Sequence, residues 1–433
     1  MCSRPEQQIE ALLYDGRGMS VKRVAVISYH SSPLIEPGSG DAGGMTVYVR
    51  QLARALARRG VYTDVYTRAT DPTDRTTSLM DGVRVIPIDA GPRAHLPKEE
   101  LPHHLDDFIG GVKTFAMAQR VGYDVIHSHY WQSGLAGKAL SPMWRAPLVH
   151  SHHTLGRVKN AALPPGDAPE PASRLEGEAE VISEAEVLIA STDDEYHQLS
   201  CLYGASHDRL KILAPGVDHF LFRPGDRDVA RSALGMDDRP VILYVGRIQP
   251  LKGVDLAIRA TEQLTHALDR PPLLMIVGGA SGNGGEREVD RLQALVSGSG
   301  IEEHVRFVGP QQHTLLPTFY QAADVIAVCS HSESFGFAAL EAHACGRPVV
   351  GTPVGGLSHI VKEGESGYLI EGRDPSVFAA RLKTLLTDRD LLARFGNAAA
   401  SSAIPFTWEN TAAGLLELYE CLVNEMFPEV CTC

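Results

Sequence analysis

No run of eighteen uninterrupted apolar residues occurs in this sequence, so no membrane-spanning helix is expected. The first twenty residues, with Arg4, Glu6, Glu10 and Asp15, also lack the apolar stretch of an export signal, and they read as a mobile N-terminal extension. Cysteine is sparse and scattered. The seven are Cys2, Cys201, Cys329, Cys345, Cys421, Cys431 and Cys433, with no C-x-x-C pair or Cys/His spacing that suits zinc. A reduced cytoplasm fits that usage, and the last two cysteines read as a frayed tail. Positive charge is short as well. Lys and Arg number 40 against 53 Asp and Glu, a net charge of −13, which argues against nucleic acid or an anionic membrane as the main partner. What is present is the composition of a globular protein, 44% hydrophobic and 21% charged. A chain of 433 residues exceeds what one hydrophobic core usually serves, so two domains are expected.

From Val21 onward, short β-branched runs alternate with segments of helical period, the pattern of parallel sheets with crossover helices. Strands are predicted at 23–28, 63–67, 83–88, 124–127, 147–150 and 187–190, with a helix at 46–59. A second series is predicted at 241–245, 273–277, 305–308, 324–328 and 348–350. These runs are apolar on both faces, as buried parallel strands are. The stretch 220–238, with Pro224, Gly225 and many charges, has linker composition and is the predicted hinge. A last amphipathic helix at 408–424 has no strand after it and is expected to cross back onto the first domain. The expected fold is therefore α/β, two Rossmann-like domains with doubly wound parallel sheets facing a cleft. Its parts are an extension (1–20), a first Rossmann-like domain (21–222), a second Rossmann-like domain (223–405) and the returning helix (406–433).

Three motifs fall where such sheets bind ligands. The loop G-S-G-D-A-G-G-M-T, 38–46, follows the first strand and enters a helix, so Gly43 and Gly44 let backbone amides approach an anion. It is not G-x-G-x-x-G, and the acid that selects a dinucleotide ribose is missing too, which disfavours a dehydrogenase. Arg247 and Lys252 lie in V-G-R-I-Q-P-L-K-G beyond a strand end, where two cations can clamp one diphosphate and neutralise the charge of a departing nucleotide. The plain alternative is a pair of solvated surface cations. In S-E-S-F-G-F-A-A-L-E, Glu333 precedes a helix and Glu341 lies about two turns inside it, so both carboxylates can accept from ribose or hexose hydroxyls. Amides near Phe335, Gly336, Phe337 and Ala338 are left to hold phosphate or sugar. The histidines His127, His129, His150, His152 and His153 suggest a metal only weakly, since no carboxylate or Cys nearby completes a ligand set, and no metal site is expected.

Through the E-x7-E element, G-R-x-x-x-x-K-G and the G-G-M loop, the sequence resembles glycosyltransferase family four, the retaining enzymes of the two-domain GT-B architecture, over nearly its whole length. That resemblance implies that Glu341 holds the donor ribose, Glu333 and His153 the transferred sugar, Arg247 and Lys252 the diphosphate, and that Arg306 lies beside the base. The blocks H-S-S-P-L, P-G-S-G-D-A-G-G-M, L-P-K-E-E-L-P, H-S-H-Y-W, H-T-L-G-R-V-K-N, G-R-I-Q-P-L-K and S-E-S-F-G are similar to the branch that joins N-acetylglucosamine to inositol phosphate in mycothiol biosynthesis. By that likeness Lys98, Tyr130, Thr154 and Arg174 hold an acceptor phosphate, and the acceptor is anionic.

Two positions depart from the branch: Thr46 stands where it reads G-G-M-N, and Ser191 where it reads A-N-T. Thr46 offers one hydroxyl in place of an amide that would have gripped the cyclitol, so anion recognition survives better than cyclitol recognition. A paralogue is the alternative, such as an antibiotic-pathway S-glycosyltransferase joining a GDP-octose to the zwitterion ergothioneine. A non-catalytic sugar-nucleotide binding protein is the alternative of another class, though it would not need both a donor clamp and acceptor cations. The family implies a retaining, front-face reaction in which the leaving phosphate takes the acceptor proton, with the domains closing about the hinge. A UDP- or GDP-sugar is expected as substrate. No cofactor is called for, Mg²⁺ is not specifically indicated, and a homodimer is compatible with the sequence.

Overall fold

A computed structural model describes residues 20–38, 42–164, 167–282 and 284–426. The expectations for the N-terminal extension and for Cys431 and Cys433 lie outside them. Among the described residues the strands form two sheets. The first contains β1 (Arg23–Ile27), β2 (Tyr62–Arg68), β3 (Thr77–Met80), β4 (Val83–Ile88), β5 (Val125–His129), β6 (Leu148–Ser151), β7 (Val187–Ala190) and β8 (Leu210–Ile212), in the order β3-β4-β2-β1-β5-β6-β7-β8. Its strands pair in parallel except β3, which runs antiparallel to β4 at the edge. The second contains β9 (Val241–Val245), β10 (Leu273–Val277), β11 (Val305–Gly309), β12 (Val325–Val328), β13 (Val349–Gly351) and β14 (Gly367–Leu369), all parallel, in the order β11-β10-β9-β12-β13-β14. Strands β3, β8 and β14 were not predicted. Each has three or four residues, too few to carry a period, and pairs with the free edge of its sheet, β3 on β4, β8 on β7 and β14 on β13.

Alternation along the central strands explains why their sequences are apolar throughout. In β1, Ala25 and Ile27 face one core and Val24 and Val26 another, and in β9 Ile242 and Tyr244 face one core while Val241 and Leu243 face the other. Helices cover all four faces. Strand order reverses at β1/β5 and at β9/β12, and at such switch points the loops diverge and leave a crevice beyond the strands' carboxyl ends.

The final helix, Trp408–Met426, packs against the helix Gly44–Arg58 on the first sheet. Its residues Trp408, Ala412, Leu415, Tyr419 and Val423 recur at helical spacing and all join the first domain's core. At roughly 1.5–3 kcal/mol per large buried side chain, that stripe contributes on the order of 10 kcal/mol before the entropy of ordering the helix is set against it. The stretch 220–238 is more ordered than its composition suggests. Phe222 sits in the second core, and a helix, Arg227–Ala233, starts where the Asp226 side chain accepts from the Asp228 and Val229 amides. Buried Arg231 anchors that helix by an ion pair of 2.8 Å to Asp324. Burial of this one arginine against its partner overrides the linker-like composition. The chain instead crosses between domains as two adjacent passages, Val217 pairing with Thr407 and its amide donating to the Phe406 carbonyl at 3.0 Å.

Candidate functional site

The loops beyond both switch points enclose one cleft of about 980 Å³. On its second-domain wall, Arg247 follows β9 and its Nη1 donates to Ser281 Oγ at 3.2 Å. Lys252 ends a short turn, Pro250–Lys252, and its Nζ meets Glu333 Oε2 at 2.6 Å. Gly253 makes this turn feasible. Its φ is +61°, and a Cβ there would lie 2.3 Å from the Cys329 carbonyl oxygen, so another residue would push Lys252 out of aim. Ser330 Oγ also donates to Glu333 Oε2, at 3.1 Å. The helix Phe337–Ala344 begins just beyond, without a side-chain cap, so its first amides are left for an anion in the cleft. Glu341, on that helix, is buried and lines the cleft; Oε1 lies 2.7 Å from His313 Nε2 and Oε2 accepts from Tyr320 Oη at 2.9 Å. Burial alone would lower the His313 pKa, but the charge and hydrogen bond of Glu341 together outweigh it, and the net shift is upward. The two bonds aim the carboxylate, which still has lone pairs for a vicinal diol.

The glycine loop of the first domain touches these second-domain motifs directly. A Cβ on Gly44 would fall 2.8 Å from Phe337 Cδ2, and one on Gly43 would fall 3.4 Å from Arg247 Nε. Residues 43 and 44 thus serve close approach between domains as well as amide exposure. Residues 39–41 of the loop lie outside the described residues.

Lys98, Tyr130, His153, Thr154 and Arg174 line the opposite wall of the same cleft. Tyr130 and His153 follow the ends of β5 and β6 with φ of 75° and 62°, a region that non-glycine residues occupy at a cost and mostly where function demands it. Arg174, on the helix Ala172–Glu184, is buried. Its Nε donates to Glu178 Oε1 at 2.8 Å, its Nη1 pairs with Glu170 Oε2 at 2.8 Å, and its Nη2 donates to Thr154 Oγ1 at 3.0 Å. The guanidinium also sits 5.2 Å from the Tyr130 ring centroid. Lys159, which sequence reasoning did not single out, pairs with Glu170 in this group. Fully buried Glu178 accepts from the Gly156 amide and from Tyr203 Oη.

Two predicted residues are not brought to the cleft. Thr46 is on the inward side of its helix, 1% exposed, with Oγ1 2.9 Å from Ser31 Oγ, so the position expected to grip the acceptor is spent on an internal hydrogen bond. Arg306 is the second residue of edge strand β11, paired with Met275 and exposed, whereas ligands meet the strand's other end. There the following residues, Gln311 and His313, line the cleft instead. Strand polarity was the signal that could have found them. Ser191 lines the cleft, its amide donating to Glu195 Oε2 at 2.7 Å. Burial pushes the Glu195 carboxyl up to about 7. The five histidines are neutral for the same reason, burial lowering His127, His152 and His153 to about 3 and His129 and His150 well below the ordinary value.

Residues 226–402 match the family described as Glycosyl transferases group 1, and residues 43–216 match the Glycosyl transferase 4-like domain. The D-inositol 3-phosphate glycosyltransferase of Acidothermus cellulolyticus is 48% identical over 93% of this chain and 91% of its own length. The enzyme of the same name from Nocardia farcinica is 46% identical, over 93% and 90%. Among solved structures, sucrose-phosphate synthase from Thermosynechococcus elongatus superposes with a TM-score of 0.86 and 31% identity, covering 93% of this chain and 100% of that one. Two Rossmann-like domains, a cleft lined from both and near-full-length relatives at this identity agree: the chain belongs to glycosyltransferase family four, group 1, and is a nucleotide-sugar-dependent hexosyltransferase of the GT-B fold.

Proposed function

We propose that the enzyme transfers N-acetylglucosamine from its UDP donor to inositol phosphate, with retention of anomeric configuration. The observation that carries this reading is that one cleft holds two separate cationic groups on facing walls, Arg247 with Lys252 and Lys98 with Lys159 and Arg174. The first suits a diphosphate that gains charge as it leaves, and the second suits a phosphate that stays on the acceptor. The names of the relatives agree with such an acceptor.

In this reading the donor diphosphate takes Lys252 from Glu333, and Glu333 turns its carboxylate to a sugar hydroxyl. Glu341, held by His313 and Tyr320, accepts from the ribose. The bond from anomeric carbon to phosphate oxygen breaks, and Arg247, Lys252 and the amides at the start of Phe337–Ala344 take up the charge. The acceptor hydroxyl attacks from the face the phosphate has left, and its proton passes to the departing phosphate oxygen. No cofactor is required, because the chain itself supplies the positive charge; activity unchanged by EDTA is the expected result.

A second reading, S-transfer from a GDP-octose to ergothioneine, is favoured by the loss of residue 46 from the acceptor wall. Turnover with UDP- and GDP-sugars, each offered with inositol 1-phosphate or ergothioneine, tests both. Product only from UDP-N-acetylglucosamine and inositol phosphate supports the first reading, product only from a GDP-sugar and ergothioneine replaces it with the second, and no product with any pair overturns both.

A further inference from the structure

Behind the cleft wall three imidazoles stand in a row. His153 Nε2 lies 2.9 Å from His129 Nδ1, and the His129 ring centroid is 5.1 Å from that of His153 and 4.3 Å from that of His127. His127 is held at both nitrogens, Nδ1 2.6 Å from Tyr419 Oη on the final helix and Nε2 2.9 Å from Ser151 Oγ. The Tyr48 ring packs on His153 and His129 with centroid distances of 4.9 and 5.5 Å. His129 Nε2 is buried and has no hydrogen-bond partner among the described residues.

That unpartnered atom decides the direction of the bond between the two rings. Two neutral imidazoles can share one hydrogen bond in two ways. If His153 donates from Nε2, His129 is bare at Nδ1 and carries its proton on Nε2, which buries an N–H with no acceptor. If His129 donates from Nδ1, the unpartnered atom is only a bare ring nitrogen. Buried orphan N–H groups are the rarer and costlier of the two. With Nε2 accepting, His153 carries its own proton on Nδ1, the nitrogen not engaged with His129, on a residue that lines the cleft.

We infer that His129 is a positioning residue: its Nδ1–H holds His153 in the Nδ1–H tautomer, so that the cleft receives a hydrogen-bond donor instead of a lone pair. The inference rests on the reading above in which His153 touches the transferred sugar. A sugar hydroxyl keeps lone pairs for such a donor, so His153 can donate to a hydroxyl of the transferred sugar. The left-handed backbone at His153 is what turns the ring to meet both His129 and the cleft.

The test is ¹⁵N NMR of the full-length protein labelled at histidine, with His153→Gln to assign the resonance, together with kinetics of His129 variants. The wild-type His153 is expected to show a protonated Nδ1 and a bare Nε2. His129→Phe should shift it toward the other tautomer and lower kcat by about tenfold to a hundredfold, with the donor KM within about twofold. His129→Asn, whose amide keeps an N–H near the place of Nδ1, should recover most of that loss. A wild-type His153 protonated at Nε2, or unchanged kcat in His129→Phe, would overturn the inference. If the Phe variant does not fold, the wild-type spectrum and the Asn variant decide. Full turnover by His153→Gln beside an Nδ1–H spectrum would mean that the tautomer lock exists but the sugar contact does not, which separates the two failures.

Discussion

The two walls of the cleft are built on different plans. On the second-domain wall the cations are held lightly at the cleft surface, Lys252 by Glu333 and Arg247 by the Ser281 hydroxyl. On the first-domain wall, residues from 154 to 178 converge on buried Arg174, which is bonded at once to Glu170, Glu178 and Thr154. The second-domain wall can lose the Lys252 charge and keep its fold, because both members of that pair reach water. The first-domain wall cannot lose Arg174, because its pair with Glu178 is buried and holds the interior together.

Arg174→Ala is expected to show the largest effect. Glu178 would remain fully buried without a counter-charge, at a cost of about 3–5 kcal/mol of stability, read from denaturant unfolding, together with loss of turnover. A loss of turnover at unchanged stability would mean that Arg174 serves substrate alone and that the contrast between the walls is false. Lys252→Ala should do the reverse, lowering kcat/KM by roughly 100- to 1,000-fold with little change in unfolding, because both members of its ion pair are partly exposed. A kcat within a few-fold of wild type would refute the diphosphate clamp.

Glu195 extends the comparison to pH. Burial raises its folded pKa from the ordinary 4.5 to about 7, so its contribution to stability is fully present below about pH 4.5 and is lost as pH rises through about 7. Glu195→Gln keeps an acceptor for the Ser191 amide and should be more stable than wild type at pH 8 by up to about 3 kcal/mol, the gap closing toward pH 5. A gap that does not vary with pH would show that the carboxyl is not buried as described. The smallest effects belong to the glycine loop, where the methyl of Gly44→Ala would press on Phe337 at the contact between the walls, costing about 1–3 kcal/mol. Gly43→Ala meets Arg247 at 3.4 Å and should cost less; equal effects from the two would mean that the interdomain contact is not tight.

Much of this could be read in advance, and unevenly. The strand series from 241 to 350 was legible because buried parallel strands are uniformly apolar and punctuated by loops. Arg247, Lys252, Glu333 and Glu341 were legible because the first three lie in loops leaving the carboxyl ends of β9 and β12 and the fourth in the helix that follows, so topology carries all four to one crevice. Arg306 failed this rule because it is near the strand's entry end, and Gln311 and His313 satisfied it unnoticed. Thr46 was misplaced because helical phase, not loop membership, decides which way its side chain turns.

The sequence by itself determined the class of fold, its two α/β units and which second-domain residues reach the cleft, since these depend on local periodicity and on short motifs tied to strand ends. The tertiary structure alone decided that Lys159, Glu170 and Glu178 gather around Arg174, that Thr46 turns inward, and that His153 beyond β6, His129 and His127 on β5 and Tyr419 on the final helix form one row of rings. Those contacts join residues as far as 292 positions apart, and no local signal encodes which buried groups must satisfy one another.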